Sequence, residues 1–468
     1  MTENSVTISI TIKAGNEEKK YLKAVNASDL EEYAQGIAIE IGQEVIKASI
    51  QELDNQMMTK VPKTWRNAGT EERWFISCLG AIHYKRRVYL DEQKQRRKPV
   101  DELFGIKRYN RMSSRVQEMG SYLACNGTYR HAADQLSWLI KTSISHSAVQ
   151  RMAWSIGNRI ADGEEAQRNR IFENGEQTEP GKISAPVLYA ESDGVWVHLQ
   201  REKRKSAEVR VAILSTGRKL IGKDRFRLEN KHCITAIGLN SEKWQEQVLR
   251  EAHLCYDLEE TKIVISGGDG NQWVRHTFDR LQIHQEFILD RFHLLRAARR
   301  AFGDWEVAKE YVSQLRQHGF ESVQSDLRKL IQQSSGRKAQ KLKDFYRYVH
   351  HNQDGLLDLE CRGYSLPVRL GAIEGNVDKL VVHRMKGRGC SWRLPGVRAM
   401  LALCRNADQL RHHAYRYLPI QSPAGSYLSR QNLDVQYSEA FQFPMPVFTG
   451  PHQNKLWVRQ LHHLIHGR

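Results

Sequence analysis

Three acidic residues, Asp193, Asp269 and Glu374, stand where a carboxylate is costly. Asp193 interrupts an apolar, strand-like run (VLYAESDGVWVHLQ, Val187–Gln200), and Asp269 ends another (KIVISGGDGNQW, Lys262–Trp273). Glu374 sits between two glycines at the start of an amphipathic segment (GAIEGNVDKLVVHRM, Gly371–Met385). An isolated buried carboxylate costs several kcal/mol or takes up a proton, so it needs a compensating positive charge. Three converging carboxylates in a strongly basic chain point to a bound divalent cation set against a phosphodiester. Two such ions about 4 Å apart stabilise both the attacking and the leaving oxygen of a displacement at phosphorus. Mg²⁺, with Mn²⁺ as a substitute, takes carboxylate oxygens and needs few protein ligands. Each acid also has a plainer reading. Asp269, beside glycines and before a helix, is equally a turn former or an N-cap. Glu374 is equally a first-turn acid that favours the helix dipole, and Asp378 competes with it on the same helix face.

Two further clusters carry chemistry. In LDRFHLLRAARR (Leu289–Arg300), Asp290 and His293 are spaced i, i+3 and share a face if strand passes into helix there. His293 then orients a phosphate, holds a water or ligates metal; a structural Asp–His bond capping the helix is the alternative. Arg296, Arg299 and Arg300 follow as phosphate contacts or as a solvated face. In HRMKGRGCSWR (His383–Arg393), Arg384, Lys386, Arg388 and Arg393 alternate with glycine and with Trp392. That interleaving suits a surface that grips phosphates and stacks a base, although Trp392 also reads as a core residue.

These groups need elements to position them. The alternation in Val187–Gln200, Ala207–Gly217 and His232–Leu239 predicts three successive strands. A helix over Glu242–Tyr256, a strand KIVISG, a helix over Asn271–Leu281 and a strand over Glu286–Asp290 follow. This is the ordering of a ribonuclease H-like mixed sheet, in which the first strand is central and the fourth lies beside it. Asp193 and Asp269 become neighbours, and Glu374 reaches them from a helix packed on the sheet. The expected fold class is therefore α/β, a ribonuclease H-like mixed sheet with a helical insertion, preceded by a mainly helical N-terminal DNA-binding region. The divisions are 1–72, helical; 73–109, a β-hairpin and basic loop; 110–180, helical; 181–293 with 371–415, the catalytic sheet; 294–370, the helical insertion; and 416–468, a tail.

The basic loop holds Lys94, Arg96, Arg97 and Lys98 and reads as exposed. The segment Gly127–Ile160 has a helix-turn-helix layout, with a first helix near Tyr129–Leu139 and a second beginning at Ser145 or His146. That second helix carries His146 and Arg151 towards a DNA major groove, or belongs to a plain helical hairpin. The run 161–185 reads as a polar linker or helix end.

Composition narrows the classes. Seventy-one Lys and Arg against 54 Asp and Glu leave +17 over 468 residues, which favours a polyanionic partner. Seven cysteines without a CxxC pair argue against zinc knuckles and a disulfide framework. A mean hydropathy of −0.60 and the absence of a long apolar run predict no membrane association and a cytoplasmic location.

The strings DELFGIKRYNRMS, ESDGVWVHLQREK, GGDGNQWV, LDRFHLLRA and GAIEGNVDKLVVHRMKGRGCSW resemble those of bacterial insertion-sequence transposases of the ISLre type. The likeness runs from about residue 70 to 410, with five motifs in order. It implies a DDE-class enzyme with a ribonuclease H-like catalytic domain, in which Asp193, Asp269 and Glu374 are the catalytic and metal-binding acids. Asp290 and His293 fit the Cys-or-Asp, x, x, His signature of a broader set of such enzymes. The implied function is metal-dependent cleavage at terminal inverted repeats and strand transfer into target DNA, by a homo-oligomer on double-stranded DNA. A nuclease of the same fold that hydrolyses without joining, and a catalytically silent DNA-binding regulator, are the rivals.

Overall fold

A computed structural model describes residues 5–14, 17–26, 30–103, 106, 110–223, 225–367, 369–387 and 389–410. Arg388 and the tail 416–468 lie outside the described residues.

The chain opens with an antiparallel pair, β1 (Ser5–Ala14) and β2 (Glu17–Asn26), and then a long helix, α1 (Leu30–Lys60). The stretch expected to be mainly helical thus begins as a hairpin, in keeping with the period-two alternation of Val6, Ile8, Ile10 and Ile12. β3 (Arg66–Ser77) and β4 (Gly80–Leu90) follow, joined by two residues, with a short β5 (Arg96–Arg97) on β4 and a short helix α2 (Pro99–Leu103). Three helices come next: α3 (Ser114–Asn126), α4 (Tyr129–Ile140) and α5 (His146–Phe172). Ser113, Thr128 and Ser145 cap them, each accepting a hydrogen bond from a first-turn N–H.

The second half holds β6 (Ile183–Ser184), β7 (Val187–His198), β8 (Ser206–Ser215), β9 (Gly217–Gly222), β10 (Arg225–Glu229) and β11 (His232–Ile237). After them come α6 (Ser241–Cys255), β12 (Tyr256–Asp257), β13 (Ile263–Gly268), α7 (Gln272–Arg275) and β14 (Gln285–Leu289). Five strands make a mixed sheet of order β11-β8-β7-β13-β14. β7, β8 and β11 pair antiparallel, whereas β13 pairs parallel with both β7 and β14. β13, between β7 and β14, is buried at every position, as expected for a strand covered on both faces.

Four helices follow the sheet: α8 (Arg291–Phe302), α9 (Trp305–His318), α10 (Glu321–Gln333) and α11 (Gly336–His351). They close over an apolar cluster that includes Leu294, Val312, Leu315, Val323, Leu342 and Phe345. The chain returns to the sheet as one helical run, α12 (Ile373–Val377), a π-turn (Asp378–Val382) and α13 (His383–Met385), before α14 (Leu394–Arg405). Ile373, Val377, Val381 and Met385 bury against Val195, Val197, Val209 and Val211 of β7 and β8. Among the described residues no helix is long and apolar enough to cross a membrane.

One open reading is settled and two expectations change. Of the two readings of 161–185, linker or helix end, the second holds as far as Phe172, where α5 stops, and its charges are paired: Arg405 binds Glu164, and Arg398 binds Asp162 and Glu165. The helix expected over Asn271–Leu281 is only α7 followed by a 3₁₀ turn at Asp279–Leu281. The hairpin β9–β10 has no counterpart in the sequence reading, although KLIG and RFRLE alternate in the manner of strands.

α5, α6, α14 and β11 meet at a buried ionic cluster. Glu251 pairs with Arg250, with Arg405 and, at 2.8 Å, with His232. Burial alone would depress His232, but hydrogen bonds to Cys255 and Glu251 lift it from 6.5 to about 9. A folded-state value above the unfolded one stabilises fully below the unfolded value and fades as pH rises through the folded one. Stability should therefore fall between about pH 6.5 and 9. The loss should be on the order of 2 kcal/mol, after allowance for the 29% of the His232 side chain that stays exposed. Chemical denaturation across that window measures it; His232→Gln should flatten the slope, and an equally steep slope in the variant would contradict the assignment.

Candidate active site

The parallel register positions two of the three acids. β7 and β13 pair up to Gly267↔Glu191, so two further steps set Asp269 level with Asp193 on the adjoining strand. β13 and β14 pair up to Gly268↔Leu289, and one further step sets Asp290 level with Asp269. The Asp290 N–H, donating to the Gly268 carbonyl at 2.8 Å, continues that ladder. Asp193, Asp269 and Asp290 thus form a row across three parallel strands about 4.8 Å apart, at the end where β13 and β14 stop.

Local chemistry fixes each member. The Gly194 N–H donates to Asp193 Oδ1 at 2.7 Å. The Asn271 N–H and Nδ2 donate to the two Asp269 carboxylate oxygens at 2.9 and 2.6 Å, so Asp269 is also a turn former. Gly268 leaves no room for a side chain, since a Cβ there would stand 2.2 Å from Val274 and 2.8 Å from the Ser192 carbonyl. Gly270 turns the chain at φ +84°, which side-chain-bearing residues rarely adopt. The Tyr348 hydroxyl, on α11, donates to the Asp269 carbonyl at 2.9 Å and ties the four-helix segment to this loop.

Asp290 caps α8 by accepting the His293 N–H at 2.9 Å and meets His293 Nδ1 at 3.1 Å. The capping reading and the functional one therefore hold together. Burial would raise Asp290, but the bonds from His293 outweigh it and hold the carboxyl below its ordinary range. His293 is raised in turn by its bond to Asp290, against burial, with the charges of Asp193 and Asp269 assisting.

Glu374 arrives from α12 with an exposed side chain. Its helix is anchored by a residue the sequence reading passed over. Glu191, two residues before Asp193 and so on the same face of β7, is 5% exposed. Its carboxylate accepts the N–H groups of Gly371 at 2.7 Å, Ala372 at 3.0 Å and Ile373 at 3.3 Å. One strand thereby carries Asp193 and also holds the N-terminus of the helix that bears Glu374. The only sequence signal was a second acid in ESDG. Glu208 was likewise passed over; its Oε1 leaves only 2.6 Å to a Cβ built on Gly194.

Burial raises the Asp193 carboxyl above its ordinary range, and the charges of Asp269 and Glu374 raise it further; the Gly194 N–H and His293 oppose them. The charges of two acids from distant segments therefore reach Asp193. All three are oxygen donors in a locally negative field, which is the donor chemistry of a hard divalent cation. Among the described residues no group of three or more His, Cys, Asp or Glu is drawn together tightly enough to hold an ion by itself. Asp193 and Asp269 are the fixed pair of the set, and Glu374 would have to turn inward to join them.

The basic residues divide. Arg96 and Lys98 both pair with Glu71. Arg97 pairs with Glu102 at 2.7 Å and lies over the Trp65 ring at 4.7 Å. The loop expected to be an open phosphate contact thus has three of its four charges engaged by carboxylates, and Lys94 is exposed. Arg384 and Trp392 are corrected too: they are 5% and 6% exposed, and the guanidinium lies 4.7 Å from the indole ring, so Trp392 offers no open face for a base. His146, Arg151, Arg296, Arg299, Arg300, Lys386 and Arg393 are exposed. The hairpin β9–β10 adds Lys219, Arg225 and Arg227 beside exposed Leu220, Ile221 and Phe226. Its base is fastened to the loop before α12 by Arg218, which donates to the Leu370 carbonyl, and by Arg369, which donates to the Arg218 carbonyl at 2.6 Å.

Glu191→Ala should lower the free energy of unfolding by about 2 kcal/mol, the scale for losing charge-assisted hydrogen bonds. It should also speed amide exchange at Gly371, Ala372 and Ile373. Unchanged protection at those amides would remove Glu191 from its anchoring role.

No curated protein matches the chain. The family model of the uncharacterised protein family UPF0236 matches residues 22–411, a span that contains the five-stranded sheet, the four-helix segment and the row of acids. The chain therefore belongs to the uncharacterised protein family UPF0236.

Proposed function

We propose that the protein is a DDE-class DNA transposase of the ISLre type, which binds the ends of an insertion sequence, cleaves DNA and joins the freed 3′-hydroxyl to a target. The observation that carries this reading is the parallel register that sets Asp269 level with Asp193 on the adjoining strand, with the charge of Glu374 reaching Asp193 from α12. The sheet order β11-β8-β7-β13-β14, with its first strand central, supports a ribonuclease H-like catalytic domain. The +17 charge supports a nucleic-acid partner.

Asp193, Asp269 and Glu374 would hold Mg²⁺, or Mn²⁺ in its place. When bound, the ions neutralise charge that grows on the attacking and leaving oxygens and activate the nucleophile. The residues of the chain do the rest. Asp193 and Asp269, on neighbouring strands, fix one edge of the pocket, and Tyr348 holds the Asp269 loop in place. His293, kept more basic by Asp290, presents a proton-bearing ring to a phosphate oxygen on the same side. Exposed arginines of α8 and the β9–β10 hairpin offer the phosphate contacts that position a duplex. Water and a 3′-hydroxyl serve as nucleophiles, so no covalent enzyme–DNA link forms. Holding two element ends together calls for a homo-oligomer on DNA.

The test is a strand-transfer assay with Mg²⁺ and a duplex carrying the element's own terminal repeat, pre-cut to expose its 3′-hydroxyl. Joined products are expected. Asp193→Asn and Asp269→Asn should each reduce joining by about 10²-fold or more while end binding persists. Hydrolysis without joining would make the protein a nuclease. Binding with neither reaction would make it a regulator.

A further inference from the structure

A second site lies away from the row of acids. A cavity of about 930 Å³ opens between α4, α5, the end of β7 and the loop before α14. Arg151, Arg201, Arg384 and Arg393 line it, and no Asp or Glu does. Arg151, Arg201 and Arg393 are exposed and make no ion pair among the described residues. The cavity therefore presents uncompensated positive charge to whatever enters.

Its wall is aromatic and rigid. The Trp154 Nε1–H donates to the Tyr129 hydroxyl at 3.0 Å. The Trp392 Nε1–H donates to the Met385 carbonyl at 3.0 Å. Arg384 lies in the corner formed by the Tyr129 and Trp392 rings, which meet edge to face, with its guanidinium centre 4.8 and 4.7 Å from their centroids. Its Nε–H donates to the Ala124 carbonyl at 2.5 Å, whereas its Nη2 is buried with no hydrogen-bond partner. The buried Arg384 thus adds positive charge to the wall from behind the rings, and the exposed Arg151, Arg201 and Arg393 are the groups a ligand can touch. Trp154 is only half-buried and keeps surface for contact.

We infer that this cavity takes a single nucleotide unstacked from DNA, its phosphate among the arginines and its base against Trp154. The inference rests on the DNA reading above and deepens it. The volume falls in the range of sites that enclose an organic ligand and is far larger than a phosphate group needs. Extruding a base gives up its pairing and stacking in the duplex, and stacking on an aromatic side chain returns part of that loss. The site is built onto the strand that bears Asp193, since Leu199 bridges Trp392 and the Gln200 N–H donates to the Trp392 carbonyl at 2.8 Å. Six residues of strand separate Asp193 from Leu199, roughly 20 Å. That is about six base-pair steps of duplex between the acids and the extruded nucleotide.

Three fluorescently labelled duplexes of one sequence test this with the full-length protein: fully paired, with one bulged thymidine, and with an abasic residue at the bulge. The wild type should bind the bulged duplex about tenfold more tightly than the abasic one. Trp154→Leu should erase that difference, and Trp154→Phe, which keeps a ring, should retain most of it; thermal unfolding checks that both variants fold. Equal affinity of the wild type for bulged and abasic DNA would overturn the inference while leaving the DNA reading standing. A preference that survives in folded Trp154→Leu would also overturn it. Failure to bind any of the three would overturn both.

Discussion

Carboxylates gathered at one end of a buried sheet repel one another and lose hydration, and this chain answers the problem differently at each acid. Glu191 is satisfied by three backbone N–H groups at a helix start. Asp290 is held ionised by His293. Asp269 accepts from its own turn through Asn271. Asp193 receives one backbone hydrogen bond, and its carboxyl is pushed above the ordinary range. Burial raises the Glu191 carboxyl as well; at Asp193 the charges of Asp269 and Glu374 add to burial, and a cation placed there would relieve both.

The surrounding architecture serves that gathering of acids. A parallel register across β7, β13 and β14 sets three acids level, Asp193 within β7 and Asp269 and Asp290 one residue past the ends of β13 and β14. Glu374 comes from far along the chain, yet its helix starts on Glu191, and its apolar face rests on β7 and β8. The four-helix segment shares its apolar cluster with Leu289 of β14 and meets the row of acids at two points, the Asp290 cap of α8 and the Tyr348 hydroxyl. The π-turn directly after α12 widens the helix just beyond Glu374, a feature often found beside functional sites.

The strands were legible because β7, β8, β11, β13 and β14 show period-two or uninterrupted apolar runs bounded by glycine. The placement of Asp193 beside Asp269 followed from strand order alone. What stayed hidden depended on partners distant in sequence. The polarity of residues 161–172 leaves linker and helix end open until Arg398 and Arg405 supply counter-charges. Lys94, Arg96, Arg97 and Lys98 read as an open basic loop until Glu71 and Glu102 appear beside three of them. Arg384 reads as a surface group and Trp392 as either a base platform or a core residue; the core reading holds, because each packs on the other. Glu191 carried no signal of its own, because its role is defined by amides some 180 residues away.

The central claim is that Asp193 and Asp269 form the fixed half of a single cation site. A crystal structure of the protein with Mn²⁺ and a DNA end, with anomalous data collected near the manganese edge, tests it most directly. The account predicts a peak at about 2.1–2.2 Å from oxygens of both carboxylates, with Glu374 turned towards it. Manganese bound elsewhere, with Asp193 and Asp269 left uncoordinated, would contradict it.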